Sequence, residues 1–338
     1  MIRPHLREGE MSERAMSWEE LRRQDGEPAT AEVPAELRGL LHREEPPQCE
    51  RHFLSPADLR GRDDDESGVL GGYCPPWIAT SYRPARARLP RPLKVFHNGE
   101  ELDPAVVYPP DERVVYHDHN YPWGSVCRIT NALGACSGVL IGPRHVLTAS
   151  HCVDWSGGWE KIEVHLFGAT ARDLSYATRA IAYTDITGTV TSTTVDEDYA
   201  CLVLDKPLGE AFGWLGVREY DSDWDDDDVW SSIGYPGDVG GGVHPTFIGN
   251  KSMDEDEWDF GSGRAMNTNA DVMKGQSGSP MFGWWDYDDG TGARPWPFAT
   301  AVISSESFGF YPPTFRINWC SGGADIVRLV RYAKRNYP

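Results

Sequence analysis

The 338-residue sequence predicts an all-β protein closed by one C-terminal helix and preceded by a long, largely irregular N-terminal stretch. Three observations lead there. Beyond Leu93, short β-branched or aromatic runs recur between Gly, Pro, Asn and Asp, the texture of a sandwich or barrel. Ahead of it the chain is charged and broken by proline, as in Asp63-Asp64-Asp65-Glu66 and Arg83-Pro84-Ala85-Arg86-Ala87-Arg88, which read as solvated segments. At the end, Ala324 to Asn336 sets Ile326, Val327, Leu329, Val330 and Tyr332 at three- and four-residue intervals, one apolar face of a helix.

Taken in order, Trp18 to Arg23 reads as a short helical patch, and Val95-Phe96, Val106 to Tyr108 and Arg113 to Tyr116 as short strands. Ser137 to Val153 reads as two apolar strands around Gly142-Pro143, ending in His151-Cys152. Ile162 to Phe167, Arg179 to Tyr183 and Thr189 to Thr194 continue the pattern, and Asp198 opens the buried-type run Tyr199 to Leu204. The second half repeats it at Val229 to Gly234, Pro245 to Gly249, Ala265 to Ala270, Met281 to Trp285 and Phe298 to Ser304. Trp284-Trp285-Asp286-Tyr287 is expected as a loop over the second half, with a pocket wall as the alternative.

A net charge of −20 argues against a nucleic-acid binder, which needs a basic footprint. No apolar run reaches the ~18 residues of a membrane helix. Met1 to Glu20 lacks an apolar stretch of the signal-peptide kind. The seven cysteines are an odd number, so at least one thiol lacks an intramolecular partner. Cys49, His52 and Cys74 match no zinc spacing. The carboxylate-rich runs Asp221 to Asp228 and Asp254 to Glu257 have no fixed ligand spacing, and read as solvated faces rather than calcium sites. No metal and no cofactor is assigned.

The chemistry centres on Gly275-Gln276-Ser277-Gly278-Ser279-Pro280. Glycines on both sides of a serine allow a sharp exposed turn, and the N–H groups of Gly275 and Ser277 are candidates for an oxyanion hole. Alone, such a cluster is more often a plain turn. A serine nucleophile also needs a base, and the base needs an orienting group. His151 lies upstream, and Asp196, Glu197 and Asp198 are all eligible acids by composition. The order histidine, acid, serine is one known solution to this arrangement.

Thr148-Ala149-Ser150-His151-Cys152, Asp198-Tyr199-Ala200 and Gly275 to Pro280 resemble the three catalytic boxes of chymotrypsin-fold serine proteases. Pro110-Asp111-Glu112-Arg113, Ile141-Gly142-Pro143 and Gly234-Tyr235-Pro236-Gly237-Asp238 bring the likeness closer to the bacterial glutamyl-endopeptidase branch. The resemblance covers residues 106–338. It implies two six-stranded antiparallel β-barrels, the first over about 106–215 and the second over about 216–338, with the site between them and the helix on the second. Residues 1–105 are then an N-terminal extension of propeptide type, as a zymogen would have.

The same resemblance selects Asp198 as the acid, His151 as the base and Ser277 as the nucleophile of a serine endopeptidase that forms an acyl-enzyme. It implies a Cys136–Cys152 disulfide, an extracellular location, and a monomer acting on polypeptides. Its pocket residues would be Asp271, Ile303, Ser304 and Glu306. Glutamyl endopeptidases carry a histidine where this chain has Ile303, so a preference for glutamate is not expected, and Asp271 points to a basic residue instead. Gln276 stands where the wider trypsin group has an aspartate that pairs with a cleaved N-terminus. A catalytically silent homologue that binds peptides or a partner protein is the rival reading. An esterase ranks last, since it would present Gly-x-Ser-x-Gly between strand and helix.

Overall fold

A computed structural model of the chain describes residues 9–38, 47–59, 68–85, 96–97, 100–101, 110–165, 172–255, 262–308 and 316–338. The expected strand at Val106 to Tyr108 lies outside these residues.

Six strands close the first barrel: Val126–Asn131, Gly134–Gly142, His145–Thr148, Lys161–His165, Arg172–Ala182 and Ala200–Leu204. Closure comes from Arg172–Ala182, long enough to pair with Lys161–His165 through one half and with Ala200–Leu204 through the other. The interior is aliphatic, with Ile129, Leu140, Val146, Ile162, Ala180 and Leu202 buried together. Gly142 to Arg144 makes the tight reversal the sequence predicts, pairing Gly142 with His145.

The second barrel is instead a curled sheet. Its strands run in the order Met253–Glu255, Gly263–Thr268, Arg316–Gly323, Ala293–Phe308, Pro280–Asp288, Trp230–Gly234, Thr246–Lys251 and Val114–Val115. Thr246–Lys251 and Met253–Glu255 lie towards opposite ends of that order yet are joined through Ser252 alone. The sheet therefore curls round on itself while, among the described residues, no ladder seals it. Val114–Val115, which the sequence places with the first barrel, pairs with Thr246–Lys251 of the second.

Thr189 to Thr194 is a turn rather than a strand. The main-chain N–H of Thr191 donates to the Thr194 hydroxyl and that of Val195 to the Thr191 carbonyl, so local bonds replace a ladder. Trp284 and Trp285 are neither loop nor pocket wall. They sit fully buried within Pro280–Asp288, and because successive strand residues face opposite sides, each enters a different core cluster.

The helix spans Ala324–Asn336 with Asp325 in its first turn and Lys334 and Arg335 in its last, matching its dipole. It packs against strands of both sheets rather than the second alone. Lys334 Nζ donates to the Ile141 carbonyl at 3.0 Å, and His145 Nε2 lies 3.0 Å from the Tyr337 carbonyl. Burial, then the Lys334 charge, pushes His145 down to about 4, consistent with a structural histidine.

The extension is built into the fold. Glu50–Phe53 runs parallel to Arg172–Ala182, and Val69–Leu70 pairs with Gly216–Arg218. Met16 N–H donates to the Trp284 carbonyl, and Trp18 stacks on Phe247. Leu21, Leu54 and Tyr82 belong to the same core cluster as the helix.

Candidate active site

The register of the first barrel sets Ala200 opposite Thr148. Continuing past Thr148 and back from Ala200 brings a short 3-10 turn, Ser150–Cys152, against Asp198. The turn is fastened by the Ser150 hydroxyl, which donates to the Thr184 carbonyl at 2.8 Å, and by Trp155 Nε1, which donates to the Ser150 carbonyl at 2.9 Å.

Asp198 is 0 % exposed. Its Oδ1 accepts the main-chain N–H of His151 at 2.9 Å, and its Oδ2 lies 2.7 Å from His151 Nδ1. A carboxylate only accepts, so the imidazole proton sits on Nδ1 and the Nε2 lone pair is left open. The Ser304 hydroxyl donates to the same Oδ2 at 2.5 Å. Three donors thus satisfy a carboxylate that has no access to water. Ser304, expected as a pocket residue, also holds the acid, and that partner lies too far away in the chain for local sequence to show it.

The serine arrives on a second loop. Gln276 N–H donates to the Met273 carbonyl at 2.9 Å and Gly275 has φ +96°, a reversal that requires glycine at its third position. A Cβ at Gly275 would meet the Tyr235 carbonyl at 2.5 Å, and one at Gly278, whose φ is +80°, would collide with Thr148 and Ser137. Ser137 ties the loop to the first barrel: its N–H donates to the Ser277 carbonyl at 2.8 Å and its hydroxyl to the Gly275 carbonyl at 2.7 Å. Among the described residues no acceptor takes the N–H of Gly275 or of Ser277. Cys152 Sγ lies 3.9 Å from His151 Nε2 and within 3.6 Å of the Ser277 carbonyl, so both loops meet at one place. No hydrogen bond joins the Ser277 hydroxyl to His151 among the described residues; such bonds commonly tighten only around substrate.

The family model named Trypsin matches residues 112–283, half of the chain, and the match contains all of these loops. The chain belongs to the trypsin family. The chain is 28 % identical over 180 residues to a glutamyl endopeptidase of Bacillus licheniformis, covering 53 % of this chain and 54 % of that protein. It is 24 % identical over 194 residues to an extracellular metalloprotease of Bacillus subtilis, covering 55 % and 60 %. The chain spans little more than half the length of these curated relatives. A solved Glu endopeptidase in complex with MPD shares the fold, with TM-score 0.52 and 22 % identity over 68 % of this chain and all of that one.

Cys136 and Cys152 are joined by a disulfide, as expected. With His151 they form the one group of three metal-type donors among the described residues, yet both sulfurs are spent on each other and neither is a thiolate. That donor set does not fit a metal. The acidic run is used internally: Asp225 Oδ1 accepts from Tyr220 Oη and from Glu255 N–H, and Asp221 caps a turn at Asp223.

Asp271 is 1 % exposed, and its Oδ2 accepts the Glu112 N–H at 2.9 Å. Ile303 is buried in the hydrophobic core of the second sheet, its carbonyl accepting from the Gly278 N–H and its N–H donating to the Ser279 carbonyl. Glu306 lies on the same strand opposite Asn318, with its side chain outside the described residues.

Proposed function

We propose that this trypsin-family protein is a serine endopeptidase that works through Ser277, His151 and Asp198. The observation that carries the reading is the double grip of buried Asp198 on His151, at the place where the Ser277 loop docks. His151 Nε2 removes the hydroxyl proton as Ser277 Oγ attacks the scissile carbonyl carbon, and Asp198 stabilises the imidazolium that forms. The resulting oxyanion is met by the N–H groups of Gly275 and Ser277. His151 then protonates the departing amine, leaving an acyl-enzyme that water clears by the same steps in reverse roles.

The substrate is a polypeptide laid along the cleft between the barrel and the curled sheet, encountered outside the cell. Ile303 supplies no charge for a substrate carboxylate, so glutamate is not favoured. Asp271 lies six residues before Ser277, at the head of the nucleophile loop, and the reading retains a basic residue before the scissile bond.

The test is a panel of fluorogenic peptides differing only at that residue, run beside sulfonyl fluoride labelling. Hydrolysis together with a mass adduct on Ser277, both lost in Ser277→Ala, is the expected result. A folded protein with neither cleavage nor adduct would establish the silent homologue.

A further inference from the structure

The mechanism above leaves Pro110-Asp111-Glu112-Arg113 without a task, although the segment reaches the nucleophile loop at several points. The Arg113 side chain is only 1 % exposed. Its Nε and Nη2 donate to Asp111 at 3.0 and 2.8 Å, and its Nη1 and Nη2 donate to Asp238 at 3.0 and 2.6 Å. Nη1 also reaches Gln276 Oε1 at 3.4 Å.

That oxygen is already part of the nucleophile turn. Gln276 is 2 % exposed, and its Oε1 accepts the Met273 N–H at 2.9 Å, locking the first residue of the turn to the fourth. Asp238 lies on the neighbouring loop, whose Gly237 N–H donates to the Lys274 carbonyl at 2.7 Å. One residue before Arg113, the Glu112 N–H holds Asp271, at the head of the same loop. Glu112 is itself paired with Lys251. The guanidinium is thus the one cation that bridges both loops around Gly275, among the described residues.

We propose that Arg113 is a positioning residue of the hydrolytic site, fastening the Met273–Gln276 turn so that the Gly275 and Ser277 N–H groups converge on the oxyanion. The inference rests on the serine-peptidase reading above. The chemistry favours arginine because its planar fork serves three acceptors at once, which an ammonium on a flexible stem does not. Its charge is already met by two carboxylates, Asp111 and Asp238, so residue 276 can be a neutral amide. Arg113 has a peptide bond on each side, and this clamp therefore requires no free N-terminal amine.

The experiment compares the full wild-type chain with Arg113→Met, Arg113→Lys and Gln276→Met. It measures kcat and KM on a peptide amide and inhibition by a peptide aldehyde, which forms an oxyanion on the serine. For Arg113→Met the expected loss in kcat is on the order of 10–100-fold, with KM within about threefold, as befits donors that act in the transition state. Aldehyde affinity falls with kcat/KM, and Arg113→Lys recovers part of both. Gln276→Met, which leaves both ion pairs intact, reproduces the kcat loss.

A folded Arg113→Met protein with wild-type kcat, or a loss confined to KM or melting temperature, overturns the proposal. If Arg113→Met does not fold, Gln276→Met decides, and wild-type kcat there overturns it. Wild-type protein with neither hydrolysis nor Ser277 labelling defeats the peptidase reading itself, and this inference with it.

Discussion

Asp198→Asn asks the sharpest question of the site, because asparagine keeps the shape of the acid and changes only what its atoms can donate. One orientation keeps the amide oxygen on the His151 main-chain N–H, a bond of 2.9 Å in the native site. The amide nitrogen then stands where Oδ2 stood, 2.7 Å from Nδ1. It can only donate, so Nδ1 must accept and the imidazole proton moves to Nε2. In that tautomer Nε2 cannot take the Ser277 proton. The flipped orientation saves the tautomer but points two N–H donors at each other in a buried place, a cost of about 1–3 kcal/mol. The first orientation therefore dominates. Ser304 adapts to it, because a hydroxyl that donates to Oδ2 can rotate to accept from the amide.

The expected outcome is a kcat loss on the order of 10⁴-fold, the size found for the same change in serine triads, or about 5.5 kcal/mol of barrier. Stability should change by no more than about 1–3 kcal/mol. Steady-state peptide hydrolysis, the rate of Ser277 sulfonylation and a urea melt give the three readouts. A folded variant retaining kcat within about tenfold of wild type would refute Asp198 as the orienting acid.

Three other perturbations address the frame. Replacing Cys136 and Cys152 by serine opens a link with a sequence separation of 16, and should cost about 3 kcal/mol in a denaturant melt, with the His151 turn the first to lose protection in hydrogen exchange. His145 titrates at about 4 in the fold, below the ~6.5 of an unfolded chain, so the unfolded state takes its proton first as pH falls. Its share of stability is complete above pH ~6.5 and disappears towards pH ~4, by about 3 kcal/mol, and a wild-type-minus-His145→Gln difference in melts across that window should show it. Arg51→Ala leaves Glu160, fully buried, without its guanidinium partner and should destabilise by about 3–5 kcal/mol, read by thermal unfolding.

The three segments that carry His151, Asp198 and Ser277 are legible because each is a local requirement: a glycine-flanked turn, a histidine after an apolar strand, an acid before another. The strand pattern was legible for the same reason, and the helix Ala324–Asn336 matches its expected span. What local sequence hides is the partner across the fold. Ser304 is singled out by the resemblance only as a pocket residue, and only the folded register brings its hydroxyl to Asp198. Arg113 reads only as the head of a short strand and one residue of a family-like segment, yet folding buries it between two loops. Thr189 to Thr194 misled in the opposite sense, since threonine's β-branching suits a strand while its hydroxyl favours a local turn.

How firmly the extension packs is what composition hides most. Its charged and proline-rich texture conceals a few apolar anchors spaced far apart. Leu21, Leu54 and Tyr82 enter the core that Val126, Ile233 and the C-terminal helix also share. Ala15 and Ile78 enter the core beneath Trp285. Buried aliphatic and aromatic side chains are each worth about 1.5–3 kcal/mol, so the anchors together hold the segment far more firmly than its polar surface suggests. Arg51 adds bonds to the Asp154 and Gly158 carbonyls and the ion pair to Glu160. Among the described residues no hydrogen bond runs from positions 9–85 to His151, Asp198 or Ser277. A cut in the chain after residue 85 would sever one peptide bond and leave every one of these contacts standing. A segment held in this way shares the cores of the barrel and the curled sheet without a hydrogen bond to the site, and the clamp at Arg113 lies on the far side of that cut.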